Sequence, residues 1–454
     1  MGLFRRLRRS KARRVCLIGL DCTPHSLLER MMGEGVMPHM AELARNGSLR
    51  RMNSVYPWVS SVAWASFMTG QNPARHGIFG FIDRDPATLK TFIPTATHMK
   101  SRPLWQILGD AGKRVVVVNV PVTYPPQPVN GVLISCFLSP SLEKAVYPPS
   151  LLPKLQELGY RIDPDPWLAR ESREKAWPDL WDALEKRTKT LLYLLDHEPW
   201  DFFMGVIMET DRLHHFWFEL MEQNDSVWAP KFFELYRYVD EFIGQVRERL
   251  GEADTLMLMS DHGICSIKKE VFYNRWLHDA GYLRYSRPPE EIKGPDLEAM
   301  HPDSVAYSLD PGRIFLNLKG RERDGSVEPA DYERVREEIA AAAEVLTDPD
   351  SGEKLVRRAY RREELYRGPY LEQAADLILA PVDGYDPKGA LWKPHFTHKD
   401  QAMVGMHTYD DAFLYIADHS LPTDDLSILD AMPTVLQLLD VPLPADLDGC
   451  GLIR

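Results

Sequence analysis

Short apolar runs, separated by longer stretches with helical spacing, set the rhythm of this chain. The runs are Val15–Leu20, Arg114–Val120, Gly131–Cys136, Asp201–Met208, Thr255–Ser260, Ala375–Ala380 and Ala412–Ala417, several of them nearly continuous in Val, Ile, Leu and Met. Runs of this length and continuity predict strands buried on both faces. Pro38–Asn46, Pro103–Ala111, Asp179–Leu195 and Phe232–Leu250 instead repeat apolar residues at one-turn spacing, which predicts helices. Strand–helix alternation of this kind predicts an α/β fold, a mostly parallel central sheet with helices on both faces.

Two stretches break the alternation. Residues 137–176 are rich in proline and charge, and the pattern over residues 266–370 predicts a strand at Arg313–Leu318, a turn at Gly320–Gly325 and a helix near Asp331–Ala343. Both are expected to be insertions covering one edge of the sheet, the first small and the second a cap. The core would then be assembled from residues 15–136, 177–265 and 371–454. Trp167, Trp177, Trp181, Tyr273, Trp276 and Tyr282 fall in or beside the insertions, and core packing is the default expectation for them.

Composition adds limits. The chain has 454 residues, 44% hydrophobic and 26% charged, enough for a large core without covalent staples. A net charge of −12 argues against a stable nucleic-acid complex. The basic stretch Arg5–Arg14 within residues 1–14 is expected to be a flexible solvated tail, with weak contact to an anionic membrane surface as its sharper alternative. No apolar run reaches the length of a transmembrane span, and no signal-peptide pattern opens the chain. Five scattered cysteines without CxxC spacing fit reduced thiols and a cytoplasmic location.

The candidate chemistry lies where acidic residues follow apolar runs. Asp21 follows Ile18-Gly19-Leu20, Asp211 follows Ile207-Met208-Glu209-Thr210, and Asp261 follows Leu258-Met259-Ser260. In open α/β sheets ligands bind at the carboxyl ends of the strands. One such Asp is usually a helix N-cap; three together, two of them near a histidine, predict a site. His215 lies one helical turn after Asp211, His262 adjoins Asp261 before a Gly263 suited to a sharp turn, and His407 precedes the run Ala412–Ala417. Three Asp and three His offer mixed oxygen and nitrogen donors, suited to zinc first and manganese second, and they are too many for one tetrahedral ion. Two divalent metal ions are the expected cofactors. A structural role is expected for His214, and no ligand role for His25, His76, His395 or His398. Pro57 to Gly70 predicts a turn and a short helix from about Ser61, with Ser60 at its N-terminus. There Ser60 is either a capping residue or a nucleophile facing an anionic phosphoryl group.

Taken in order, these residues resemble the alkaline phosphatase superfamily, and within it the type I phosphodiesterase/nucleotide pyrophosphatase and phosphohydrolase/phosphomutase branch. The resemblance rests on Gly19-Leu20-Asp21, Ser60 with Trp64 and Thr69-Gly70, Pro73, His76-Gly77-Ile78, Asp211-x-x-x-His215, Asp261-His262-Gly263, Gly405-x-His407, Ala431 to Leu436 and Asp448-Gly449. It implies an alkaline-phosphatase-like three-layer αβα sandwich with cap insertions. It also implies a hydrolase of phosphate esters, phosphodiesters or pyrophosphates before monoesters, with Ser60 as nucleophile and a phosphoserine intermediate. One metal would be held by Asp211, His215 and His407. The other would be held by Asp21, Asp261 and His262, with Ser60 reaching it. The partner is a small phosphate ester. A phosphomutase with the same chemistry, or a silent binding protein of the same fold, are the alternatives. The chain departs from the pattern where nucleotide pyrophosphatases carry an Asn that binds a phosphoryl oxygen; here Phe79-Gly80-Phe81 follows His76-Gly77-Ile78. The Cys/Ser-x-Pro-x-Arg signature of sulfatases is absent around Ser60.

Overall fold

The structure, a computed structural model, describes residues 13–292, 296–399, 402–423 and 425–453. Eight strands form the main sheet, in the order Gly47–Met52, Ala412–Ala417, Thr255–Met259, Val15–Leu20, Phe202–Ile207, Val115–Val118, Gly131–Ile134 and Val146–Tyr147. Thr255–Met259 through Gly131–Ile134 run parallel. Ala412–Ala417 pairs antiparallel with both of its neighbours, and Val146–Tyr147 antiparallel with Gly131–Ile134. The edge strand Gly47–Met52 has no apolar run to announce it. Its sequence is Gly-Ser-Leu-Arg-Arg-Met, and only one of its edges needs covering.

Alternation along the central strand divides the molecule into layers, because successive side chains point to opposite faces. Cys16, Ile18 and Leu20 enter one apolar core with the helices Arg173–His197, Glu209–Glu222 and Trp228–Arg249. Val15 and Leu17 enter the other with Ser60–Thr69, Leu104–Asp110 and Ala431–Leu438. Each fully buried Leu, Ile or Val contributes about 1.5–3 kcal/mol, so both faces of the sheet are strongly held. The result is an αβα sandwich, as the alternation predicted.

A second body has its own core. An antiparallel sheet orders Ala306–Leu309, Arg313–Leu316, Leu377–Pro381 and Val356–Arg361, and the helix Tyr332–Glu344 contributes Val335, Ile339 and Ala343 to the core beneath it. The run expected at Ala375–Ala380 does form a strand, but in this sheet and not the main one, because its partners are Arg313–Leu316 and Val356–Arg361. A smaller sheet pairs Lys269–Phe272 with Tyr385–Lys388 and Thr397–His398. The cap therefore extends well past residue 370. Tyr273 and Trp276 are buried in its core; Trp177 and Trp181 pack against the main core, while Trp167 is 70% exposed. At the other end, Arg14 is tied down by a paired contact with Asp254 and stacks on Trp200, so the flexible tail expected over residues 1–14 does not include Arg14. The rest of the basic stretch, through residue 12, lies outside the described residues.

Candidate active site

The sheet register decides where the acidic residues emerge. Leu20 pairs with Ile207 and Gly19 with Met259, so three adjacent parallel strands end almost level. Asp21 follows the first directly. Asp261 lies just past the third, and Asp211 sits in the first turn of the helix Glu209–Glu222 that follows the second. His215 is one turn further along the same helix face. His407 arrives by a different route: Gly405–Thr408 pairs antiparallel with Gly263–Ser266, setting His407 opposite Ile264 and beside His262. The imidazoles of His262 and His407 stack with centroids 3.8 Å apart.

Gly263 is not the sharp turn expected of it. It opens a strand, and a Cβ there would lie 2.6 Å from Thr408 Oγ1, so glycine is required by the close approach of the neighbouring strand. Gly19 has a similar role. A Cβ on it would meet the Trp64 ring at 2.6 Å, and Trp64 uses that space to donate Nε1–H to Asp21 Oδ2 at 2.7 Å.

Ser60 is the first residue of the helix Ser60–Thr69, and Val59 occupies the cap position. The capping alternative therefore fails. The Ser60 hydroxyl makes no cap bond; its Oγ lies 3.1 Å from His262 Nε2 and 3.3 Å from Asp21 Oδ1. Ser61 is equally buried, but its Oγ has no hydrogen-bond partner.

The structure brings all seven sequence-selected residues to this one edge. Donor atoms of Asp211, His215 and His407 fall within 4.8 Å of one another, and so do those of Asp21, Asp261 and His262. Histidine tautomers can be read from fixed partners. His215 Nδ1 faces the Gly405 carbonyl at 2.9 Å and His262 Nδ1 faces the Gly263 carbonyl at 3.1 Å. A carbonyl only accepts, so each Nδ1 carries the proton and each Nε2 turns a lone pair into the site. His215 Nε2 and His407 Nε2 face each other at 2.9 Å, with Asp211 Oδ1 3.3 Å from His407 Nε2.

In this crowding of lone pairs and carboxylates Asp211 has a cationic side chain against it, Arg212, while among the described residues no lysine or arginine pairs with Asp21 or Asp261. Asp21 and Asp261 are fully buried and Asp211 nearly so. Burial, then the charges of Asp261 and Asp211, push the Asp21 carboxyl well above its usual range. Burial raises Asp261 to about 7, and its Oδ2 has no hydrogen-bond partner. Burial also acts to raise Asp211, but His215, His407 and the contact with Arg212 outweigh it and hold it low. Burial lowers His262 and His407 to about 4, so both are neutral donors near neutrality. The donor set fits two divalent cations, which would supply the missing positive charge.

Two contributors escaped the sequence reading. Arg212 bridges Asp211 and Asp163. Cys22 sits at φ 65°, and its Sγ lies within 4.8 Å of donor atoms of His262 and His407. A run of Asp-Arg or Asp-Cys carries no signal of this by itself. The histidines set aside behave accordingly. His214 is buried between the Cys22 carbonyl and the Tyr236 hydroxyl, both at hydrogen-bonding distance. His76 accepts from Ile78 N–H and donates to Ser66 Oγ.

Residues 15–410 match the family model described as Type I phosphodiesterase / nucleotide pyrophosphatase. No curated protein sequence matches significantly. Similar solved structures include phosphonoacetate hydrolase from Sinorhizobium meliloti 1021 in complex with phosphonoformate, with a TM-score of 0.63 and 15% identity, covering 94% of this chain and 96% of that one. Murine ectonucleotide pyrophosphatase / phosphodiesterase 5 in complex with AMP gives a TM-score of 0.57 at 14% identity, covering 96% and 97% of the two chains. The human form of that enzyme gives 0.55 at 14% identity, covering 95% and 96%. These likenesses extend over nearly the whole length and concern the fold.

Proposed function

The chain belongs to the type I phosphodiesterase/nucleotide pyrophosphatase family, hydrolases of phosphoric ester bonds, and from that premise we propose that it cleaves phosphodiesters or pyrophosphates in two steps through a phosphoserine on Ser60. The observation that carries this reading is the position of the Ser60 hydroxyl. It sits at a helix N-terminus, within hydrogen-bonding distance of His262 and Asp21, next to the second donor group of Asp211, His215 and His407.

In this reading Asp21, Asp261 and His262 hold one divalent cation and Asp211, His215 and His407 a second, zinc before manganese on the mixture of donors. When bound, the cations supply the positive charge that favours the Ser60 alkoxide and offsets the charge of the phosphoryl oxygens. The remaining work falls to the chain. Trp64 fixes the Asp21 carboxylate from behind, and the backbone carbonyls of Gly263 and Gly405 fix His262 and His215. The positive end of the helix Ser60–Thr69 favours an anionic phosphoryl group in front of Ser60. Ser60 Oγ, having given up its proton, then bonds to phosphorus as the bond on the opposite side breaks; the leaving oxygen takes up a proton and departs as the alcohol, or as a phosphate where the substrate is a pyrophosphate. Water cleaves the Oγ–P bond in the second step, restoring Ser60 and releasing the phosphate product. Five unpaired cysteines fit a reducing compartment, and we place the enzyme in the cytoplasm. No helix among the described residues is long and apolar enough to cross a membrane.

The test compares wild type with Ser60→Ala after metal removal and reloading with zinc or manganese. Substrates are bis-p-nitrophenyl phosphate, p-nitrophenyl phosphate and the corresponding sulfate. The expected result is metal-dependent turnover of the diester above the monoester, no turnover of the sulfate, and a loss of at least ~10³-fold in Ser60→Ala with metal content retained. Turnover that survives Ser60→Ala would remove Ser60 as nucleophile.

A further inference from the structure

An apolar cavity of about 230 Å³ opens beside the donor group of His215 and His407, between the main domain and the cap. We propose that it receives the leaving group of the ester, and that this leaving group is an uncharged apolar alcohol, alkyl or aryl, in place of a nucleotide. The inference rests on the reading of Ser60 as nucleophile and deepens it.

Direction comes first. Ser60 contacts Asp21 and His262, which belong to one donor group. An in-line displacement expels the leaving oxygen on the far side of phosphorus, toward the other group of Asp211, His215 and His407. The cavity begins at that group, since His215 and His407 form part of its wall. The walls beyond come from both bodies of the molecule. Trp58 and Phe81 belong to the main domain, Met403 and Met406 to the segment leading into His407, and Ile378 and Leu379 to the cap sheet. Phe81 belongs to the stretch that stands in place of the Asn of nucleotide pyrophosphatases, so an apolar ring faces the cavity from there.

The charges at the cap end do not alter this character. Lys388 is engaged by Asp386 and lies 3.8 Å from Glu270 Oε1, while Asp310 accepts from the Gly389 backbone. Counting Asp310, Asp386 and Glu270 against Lys388 and Arg313, whose guanidinium meets the carbonyls of Asp310 and Ile82, that end is still net negative. A leaving group carrying further phosphates would be repelled there, and the walls offer few polar atoms to hold a ribose or read a base. An alkyl or aryl group gains from burial alone. Met403 and Met406 suit it further, since flexible thioethers fill space around ligands of varied outline.

The experiment measures binding, so it does not depend on turnover. Zinc-loaded protein is titrated calorimetrically with methyl, butyl and hexyl phosphate and with AMP. Affinity is expected to rise about fourfold per added methylene, with hexyl phosphate tighter than AMP. Met403→Asp, a change at a half-buried position, is expected to reduce the ratio of hexyl to methyl affinity several-fold. Methyl phosphate binding without a rise along the series, or AMP binding tighter than hexyl phosphate, would overturn the inference while leaving the two-metal reading intact. Absence of binding by any of these phosphates, together with no turnover of bis-p-nitrophenyl phosphate, would overturn both.

Discussion

Single side chains in this site act through what stands behind them. Trp64 is fully buried and fixes Asp21 through one N–H bond in a gap that Gly19 leaves open. Trp64→Phe keeps the ring and removes the donor. It is expected to weaken zinc binding about 10–100-fold, measured by competition with a chromogenic chelator; unchanged affinity would show that Asp21 needs no such support. His76 gives a second prediction, in pH. Burial lowers its pKa from 6.5 to about 3, and in this neutral form it accepts from Ile78 N–H and donates to Ser66 Oγ. A folded-state pKa below the unfolded one gives stability that is complete above about 6.5 and lost as pH falls toward about 3. His76→Asn should remove up to one proton from the pH dependence of unfolding in that window, about 1.4 kcal/mol per pH unit. Denaturant unfolding at a series of pH values reads this slope. The sequence showed the ionisable residues at this scale, including Asp21 and His262, but not their supports. An indole nitrogen reaching a carboxylate from another element leaves no local pattern, and neither does Arg212 beside Asp211.

At the level of elements, the legible part of the fold was the part with a strong period. Val15–Leu20 and Ala412–Ala417 were bounded correctly because continuous apolar runs need burial on both faces. Gly47–Met52 went unseen because an edge strand with two arginines has no such run. Leu377–Pro381 was seen as a strand but placed in the wrong sheet, since an apolar run specifies burial and not its partner. His407 was selected from its position and the family resemblance; the pairing of Gly405–Thr408 with Gly263–Ser266 that carries it to His262 is non-local and invisible to periodicity. The helix carrying Asp211 and His215 has its own anchor. Glu209, at its first residue, receives Arg187 Nε at 2.8 Å from the long helix Arg173–His197, and both side chains are fully buried. Arg187 also reaches the Tyr160 hydroxyl and the Ile162 carbonyl. Arg187→Met would strand Glu209 without a counter-charge, at a cost of about 3–5 kcal/mol. Urea unfolding should show that loss in the single variant, and partial recovery in Arg187→Met with Glu209→Leu, which removes the stranded charge.

For the whole molecule, the site is a balance of charge that the fold alone leaves open. A chain of net charge −12 buries Asp21, Asp211 and Asp261 at one sheet edge, with Arg212 holding only Asp211 among them by a direct contact. The strands that end there also form the centre of both apolar cores, so repulsion between these carboxylates acts on the most deeply buried part of the molecule. Divalent cations that bind only the folded state add stability in proportion to the logarithm of their concentration over the dissociation constant, about 4 kcal/mol at a thousandfold excess. Chelation is therefore expected to lower the thermal midpoint by several degrees, and zinc to restore it. Ser60→Ala should keep that shift almost whole, because in the proposed reading its hydroxyl is the nucleophile and six other side chains supply the donors. His407→Ala should lose much of it, because that change removes a donor from one group and the ring stacked on His262 in the other. Scanning calorimetry of the three proteins, with chelator and with zinc, separates the two roles. A midpoint indifferent to metal in the wild type would mean that protonation, and not cations, neutralises the three carboxylates, and the donor groups would then be a buried acid cluster without a catalytic ion.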